Sequence, residues 1–129
     1  MSKRILRVDM TNLEAKFEDL PTDFVALGGR ALTSTIVSKE VDPLCHPLGA
    51  YNKLVFAPGL VTGSKAPTSG RMSVGAKSPL TGGIKEANVG TNFAQKLGRM
   101  RIAAIIIEGK YKGEDYYLLK ITTDGTELM

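Results

Sequence analysis

The apolar run IAAIIIEG at residues 102–109 constrains the fold more than any other stretch of this sequence. Its unbroken apolar part, from Ile102 to Ile107, is far shorter than the roughly 18 residues that a membrane span needs. A short run rich in β-branched residues is typical of a strand covered on both faces. We therefore predict that this segment is a central strand of a sheet, and we expect no membrane association.

Alternation of apolar and polar residues predicts further strands on either side of this run. The segments are RILRVD (4–9), LEAKFEDL (13–20), KLVFAPG (53–59), RMSVGAK (71–77), IKEANVG (84–90), DYYLLKIT (115–122) and TELM (126–129). The first two should form a hairpin through the turn MTN, and the last two should form one through Thr123-Asp124-Gly125.

Two segments carry the spacing of a helix. The first opens at Pro21, with Thr22 as a side-chain cap, is interrupted at Gly28-Gly29, and resumes as RALTSTIVSKEV before Pro43. The second is TNFAQKLGRM (91–100), with its first threonine as N-cap. These elements predict one α+β domain over residues 1–129, with mixed or antiparallel sheets and two main helices.

Acidic residues are absent from the middle of the chain. Between Pro43 and Lys85 there are five Lys or Arg residues and no Asp or Glu, whereas the whole chain has a net charge of +4. This distribution predicts a positive local potential, although neutral turn residues could have displaced the acids by chance. The net charge itself is too small to indicate a nucleic-acid partner, and we expect none.

Cys45 and His46 are the only cysteine and the only histidine. One of each cannot build a disulfide framework or a Cys/His metal cluster. Adjacent residues rarely direct their side chains to one point, as a nucleophile and its base must. We therefore expect no catalytic residue in this chain. The charged N-terminus MSKRILRVDM lacks the apolar core of a signal peptide, so we expect a cytoplasmic protein.

The acid-free segment fits anion binding better than it fits catalysis. GSKAPTSG (63–70) lacks the ending of a Walker A loop. Arg71 can bind phosphate with two parallel hydrogen bonds, while Asn88, Gly90 and the amides near Thr91 lie where a strand enters a helix. The residues alone leave simpler roles open: Arg71 as a solvated strand residue, and Asn88 and Gly90 as turn residues.

Several motifs follow one another along the chain: GGRAL (28–32), NKL with the following PGLVTG (52–63), APTSGR (66–71), KSPLTG (77–82), ANVG (87–90) and AIIIEGK (104–110). Together they resemble the N-terminal part of the tungsten-containing aldehyde ferredoxin oxidoreductases. Their order and spacing agree with that family over most of the chain. The resemblance implies a domain on which a tungsten, or molybdenum, bis-pyranopterin cofactor rests.

The resemblance also implies roles for three residues. Arg71 matches an arginine that contacts the pterin, and Gly90 matches a glycine whose backbone touches it. Asn88 matches an asparagine whose backbone carbonyl helps to hold the magnesium ion that bridges the two cofactor phosphates. Lys77 and Ser78 lie in a matching motif without an assigned contact.

Family members are much longer, and the chain corresponds to about the first half of their N-terminal domain. The cysteines of a [4Fe-4S] cluster and the substrate pocket lie in their later domains, so we expect no cluster here and no activity without partner domains, which ferredoxin would reach only indirectly. Two alternatives stay open. One is a stand-alone phosphate- or pterin-binding module without redox activity. The other is a truncated remnant, whose uncovered apolar face would favour a homodimer.

Overall fold

The computed structural model describes residues 2–129, which form eight strands and two α-helices. The strands are β1 (Arg4–Asp9), β2 (Glu14–Asp19), β3 (Leu54–Pro58), β4 (Arg71–Lys77), β5 (Ile84–Gly90), β6 (Ile102–Glu108), β7 (Leu119–Thr122) and β8 (Gly125–Leu128). The helices are α1 (Gly29–Glu40) and α2 (Asn92–Arg99). This content confirms the predicted α+β class.

One sheet of six strands organises the molecule, in the order β2-β1-β6-β3-β4-β5. Only β1 and β6 pair in parallel, and every other neighbouring pair in this sheet is antiparallel. Strand β6 lies inside the sheet, as its unbroken apolar run predicts. The hairpin of β7 and β8 is a separate two-stranded sheet.

The two helices cover opposite faces of the sheet. On the α1 face, Leu32 and Ile36 of the helix pack in one cluster with Ile106 of β6. On the α2 face, Leu97 packs in a second cluster with Ile105. Successive residues of β6 therefore enter different cores, which is why this strand needs apolar side chains on both faces.

The part of the first helix predicted from Pro21 to the glycine pair is wrong, whereas the part predicted as RALTSTIVSKEV is confirmed as α1. The structure has only a three-residue 3-10 turn there, Thr22–Phe24, and Thr22 makes no side-chain capping bond. Phe24 is buried in the α1-side core, and a single turn suffices to place it there. The true helix begins at Gly29 with Gly28 as N-cap. A Cβ atom on Gly28 would lie 2.6 Å from the amide nitrogen of Leu60, so only glycine fits this close approach.

The C-terminal hairpin is confirmed, but its first strand is shorter than the predicted range 115–122. The ladder begins at Leu118, which exchanges two backbone hydrogen bonds of 2.9 Å with Met129, and it continues from Leu119 to Thr122. Tyr116, two residues before Leu118, is almost fully exposed and lies outside the ladder. In residues 2–129 no helix combines the length and the apolar character required to cross a bilayer.

Candidate functional site

The pairing of β4 with β5 brings Arg71, Asn88 and Gly90 together. Arg71 lies directly opposite Gly90, and Asn88 lies opposite Ser73, one pair further along. The Nε–H of Arg71 donates a hydrogen bond of 2.7 Å to Oδ1 of Asn88. A Cβ atom on Gly90 would lie 3.2 Å from Nη1 of Arg71. The missing side chain of Gly90 therefore leaves room for the guanidinium to lie across the strand.

The backbone N–H and carbonyl groups of Asn88 and Gly90 point away from β4, toward the unpaired edge of the sheet. The amide of Thr91 donates to the carbonyl of Gly70 at 3.0 Å, and that of Ser78 donates to Gly83 at 2.7 Å. Opposed residues of an antiparallel ladder alternate between bonded and non-bonded pairs. Gly70–Thr91 and Ser78–Gly83 are bonded pairs, so the pairs that contain Asn88 and Gly90 are non-bonded. Because β5 is an edge strand, the carbonyls of Asn88 and Gly90 point toward the unpaired edge of the sheet.

The amides near Thr91 were expected to join the site, but that of Thr91 itself is not available to an anion, because Gly70 already accepts from it. The Thr91 hydroxyl is occupied as well. It accepts from the amide of Ala94 at 3.0 Å, which confirms Thr91 as the N-cap of α2.

Arg71 carries a positive charge that no neighbour neutralises. Its side chain is exposed, and none of the ion pairs formed within residues 2–129 includes it. Its hydrogen bond to Asn88 uses a neutral acceptor and only Nε. The two terminal nitrogens remain free to bind an anion with two parallel bonds.

A second arginine reaches the same strand from α1. Nε of Arg30 donates to Oε1 of Glu86 at 2.9 Å, and the hydroxyl of Ser73 donates to the other oxygen of that carboxylate at 2.7 Å. Ser73 is itself 2.9 Å from the buried hydroxyl of Thr33. The Ser73 hydroxyl and, after it, Arg30 lower the pKa of Glu86 against the opposing effect of desolvation. Glu86 is therefore a carboxylate held in its charged form.

The part of the loop before β4 that contains Thr62 and Gly63 is packed against α2. The amide of Gly63 donates to Oε1 of Gln95 at 2.8 Å. Thr62 is buried, and a Cβ atom on Gly98 would lie 2.0 Å from its carbonyl oxygen. Glycine at this position lets the helix and the loop touch backbone to backbone. Gly63 of the loop serves the same packing, since a Cβ atom there would lie 2.6 Å from the amide nitrogen of Arg99. We therefore place the candidate site from Arg71 onward.

The KSPLTG motif has a structural explanation. Nζ of Lys77 donates to the backbone carbonyls of Pro43 and Cys45, while Oγ of Ser78 accepts from the amides of Leu80 and Thr81, each at 3.2 Å. Both side chains are therefore committed inside the molecule. Asn52, the first residue of the NKL motif, bridges this region, a role that the sequence pattern did not predict.

Asn52 accepts from the amide of Lys77 at 3.1 Å and donates to the carbonyls of Pro47 and Lys77 at 2.8 and 3.0 Å. His46 is likewise engaged locally, since its Nδ1 accepts from the amide of Leu48 at 3.1 Å. Across residues 2–129 no three His, Cys, Asp or Glu side chains assemble into a metal site. A metal bound at the β5 edge would therefore need oxygen ligands from the backbone and from the ligand itself.

Known proteins are similar to this chain in both sequence and fold. The family model described as aldehyde ferredoxin oxidoreductase, N-terminal domain, matches residues 5–129. The tungsten-containing aldehyde ferredoxin oxidoreductase of Thermococcus kodakarensis is 40% identical over 119 residues, which cover 91% of this chain and 20% of that protein. The protein of the same name from Pyrococcus abyssi is 45% identical over 109 residues, covering 83% of this chain and 18% of that protein.

A solved structure also resembles the chain along its length. The active site complex BamBC of benzoyl coenzyme A reductase, in complex with 1,5-dienoyl-CoA, matches with a TM-score of 0.89 and 28% identity. The match covers 97% of this chain and 19% of the other. The fold is an α+β domain, and the matching motifs are in place. The chain belongs to the aldehyde ferredoxin oxidoreductase N-terminal domain family. The chain spans about a fifth of the length of the relatives it matches.

Proposed function

We propose that this chain is the cofactor-binding component of a tungsten or molybdenum bis-pyranopterin oxidoreductase, with Arg71, Asn88 and Gly90 as its contacts to the cofactor. The observation that carries the proposal is the state of Arg71. Asn88 fixes its guanidinium through Nε, and no carboxylate in residues 2–129 pairs with it. A fixed but uncompensated cation is suited to a phosphorylated ligand.

The donor set at the β5 edge fits such a cofactor. Arg71 offers terminal N–H groups to a phosphate or to a pterin ring, and Gly90 lets a planar group approach the backbone closely. The outward carbonyl of Asn88 is an oxygen ligand, the type that Mg²⁺ prefers, and the phosphates and water would complete the coordination. When bound, the metal–pterin group would supply the redox chemistry, while these residues bind and orient it.

The proposed reaction is aldehyde oxidation with ferredoxin as acceptor, and the names of the relatives support it. We assign that reaction to an assembly in which further domains or subunits accompany this chain, because the chain spans only about a fifth of those proteins. The one free cysteine is consistent with a reducing, cytoplasmic environment.

Titration of the 129-residue chain with a pterin phosphate tests the site directly. Replacing Arg71 by Ala should weaken binding by about 1.5–3 kcal/mol, the usual contribution of a hydrogen bond to a charged group. Lys85→Ala provides a matched control, since Lys85 is an exposed cation on the opposite face of β5 and its removal should leave the affinity unchanged. Equal affinities for the wild type and Arg71→Ala would overturn the assignment.

A stand-alone binding module is the second candidate, because the contact between Arg71 and Asn88 forms entirely within this chain. Purification from the native source separates the two. A larger, cysteine-rich partner that co-purifies with tungsten or molybdenum supports the oxidoreductase component, whereas a metal-free protein without a partner supports the module.

Self-association of the chain is compatible with both candidate functions. An apolar groove of about 350 Å³ lies between the sheet and the β7–β8 hairpin, lined by Phe56, Phe93, Ile105, Ile107, Leu119 and Ile121. Such a surface favours a covering partner, and a second copy of the chain could supply it. Light scattering at micromolar concentration would show a dimer if so, and a monomer would count against it.

A further inference from the structure

Three cationic residues line a small cavity at the end of the sheet where β1 and β6 begin. Lys3 comes directly before β1 and Arg101 directly before β6, and the two strands are parallel neighbours. Together with Arg99, they line a cavity of about 230 Å³ whose other walls are Gly98 of α2 and the loop between β3 and β4. None of these residues belongs to the candidate site at Arg71.

No carboxylate neutralises these cations within residues 2–129. None of the ion pairs there includes any of the three side chains. Glu86 is the only acidic residue between positions 43 and 107, so the loop and the helix that form the walls add no negative charge. Asp19 lines an adjoining cavity with Lys3 and Arg101, but it forms no ion pair with either. The cavity therefore carries an excess of positive charge.

The ammonium group of Lys3 is held where its charge is unfavourable. Its Nζ donates to the backbone carbonyl of Leu60 at 3.2 Å, and the residue is half-buried. Burial and, after it, the neighbouring charge of Arg101 lower the pKa of Lys3. An anion that binds between two such like charges relieves their repulsion and stabilises both charged forms. The contacts within the chain supply no such anion to Lys3.

Arg101 has a backbone conformation that favours glycine. Its φ is 60°, in the turn where α2 ends and β6 begins, and its amide donates to the carbonyl of Gly98 at 3.1 Å. Helices commonly end with a glycine in this left-handed conformation, because any Cβ atom there is crowded. Glycine would make the same turn without that cost. The arginine side chain therefore indicates a role for its charge beyond the turn itself.

From the cavity, its uncompensated cations and the left-handed turn, we infer that Lys3, Arg99 and Arg101 bind a phosphate group. The cavity is smaller than the roughly 300–1,000 Å³ of pockets that enclose a whole drug-sized ligand, so it suits one charged group. Arginine offers paired N–H donors to phosphate oxygens, and lysine adds a compact charge. A dianion balances several cations better than a carboxylate, which carries one charge. This site is separate from the proposed cofactor contacts and does not depend on them.

Titration of the isotope-labelled chain with inorganic phosphate, followed by NMR at constant ionic strength, tests the inference site by site. The amides of Gly63, Ser64 and Arg101 should shift in a saturable way, and chloride should not reproduce the shifts. Shifts confined to the amides of Arg71 and Gly90 would overturn the inference, while the proposed cofactor site would stand.

The variant Arg101→Gly should separate binding from stability. It removes one cation and relieves the left-handed backbone, so the dissociation constant for phosphate should rise about tenfold, while the melting temperature should not fall. Lys3→Gln, which can still donate to the carbonyl of Leu60, should raise the dissociation constant by a similar factor. Lys85→Gln removes the same charge from β5, at the far side of the sheet, and should change the dissociation constant little.

Two results with the variants would overturn the site. Equal losses of affinity in Lys85→Gln and Arg101→Gly would reduce the effect to one of net charge. A lower melting temperature of Arg101→Gly with unchanged phosphate affinity would assign the arginine to the fold instead. Where the site stands, a phosphate monoester identifies the source of the group: binding as tight as that of inorganic phosphate supports a larger phosphorylated molecule, and weaker binding supports the free ion.

Discussion

Arg7 and Arg71 are arginines of the same sheet in opposite surroundings. Arg7, on β1, bonds to Glu18 at 2.9 Å, to Glu40 at 2.8 Å and to Glu108 at 3.2 Å. Arg71, on β4, bonds to the neutral Asn88 and forms no ion pair within residues 2–129. The Arg7 side chain is only 18% exposed, while that of Arg71 is open to solvent.

The carboxylates around Arg7 show what that network contributes. Burial raises the pKa of Glu40, but hydrogen bonds from Arg7 and Lys53 outweigh it, so the net pKa is lowered. Hydrogen bonds that Arg7 donates to Glu40, and then to Glu18, raise the pKa of Arg7 despite desolvation. Cations and anions stabilise each other across the three strands β1, β2 and β6, helix α1, and Lys53 just before β3. The Arg7 network is therefore structural, and the contrast identifies the isolated cation of Arg71 as the one available to a ligand.

The largest expected effect is on stability at Arg7. Arg7→Met should lower the free energy of unfolding by about 3 kcal/mol, because it leaves three carboxylates, all partly buried, without their shared partner. Arg71→Met, the same change at the exposed position, should cost less than about 0.5 kcal/mol. Urea unfolding of both variants measures the difference, and equal losses would end the distinction between the two sites.

Removing the charge of Glu40 should have the next largest effect. At neutral pH, Glu40→Gln should cost about 2 kcal/mol, since hydrogen bonds to charged groups contribute about 1.5–3 kcal/mol each. The lowered pKa of Glu40 means that its contribution is present above the unfolded pKa, near 4.5, and is lost as the pH falls through the lower folded value.

Urea unfolding between neutral pH and pH 3 follows that loss. Wild-type stability should fall below about pH 4.5, and the Glu40→Gln variant should show a flatter curve there, with Glu86 still contributing because its pKa is also lowered. A variant curve parallel to that of the wild type would show that Glu40 has no part in the acid sensitivity.

The smallest expected effect comes from the residue that holds Arg71. Asn88→Ala removes the acceptor of Nε without touching the terminal nitrogens, so affinity for a pterin phosphate should fall by about 1 kcal/mol. Stability should change little, because the contact is at the surface. Asn88→Gln, which retains an amide, serves as the comparison. An affinity for Asn88→Ala equal to that of the wild type would show that Arg71 needs no positioning.

Sequence patterns predicted the local elements and the residues that neighbouring strands bring together. Arg71 and Asn88 could be grouped because β4 and β5 are consecutive strands with one turn between them. The Arg7 network was not foreseeable in the same way, since Arg7 and Glu108 are separated by 101 positions and meet only because β1 and β6 pair in parallel. Arg30 and Glu86 are separated by 56 positions and meet only where α1 crosses β5.

The central claim is that Arg71 binds a ligand, whereas Arg7 stabilises the fold. The most direct test is the gain in unfolding free energy when a pterin phosphate is added at about 100 times its dissociation constant. The wild type and Arg7→Met should each gain about 2.7 kcal/mol, from different starting stabilities. Arg71→Ala, at the same ligand concentration, should start near the wild-type stability and gain much less. An equal gain in Arg71→Ala and the wild type would contradict the claim.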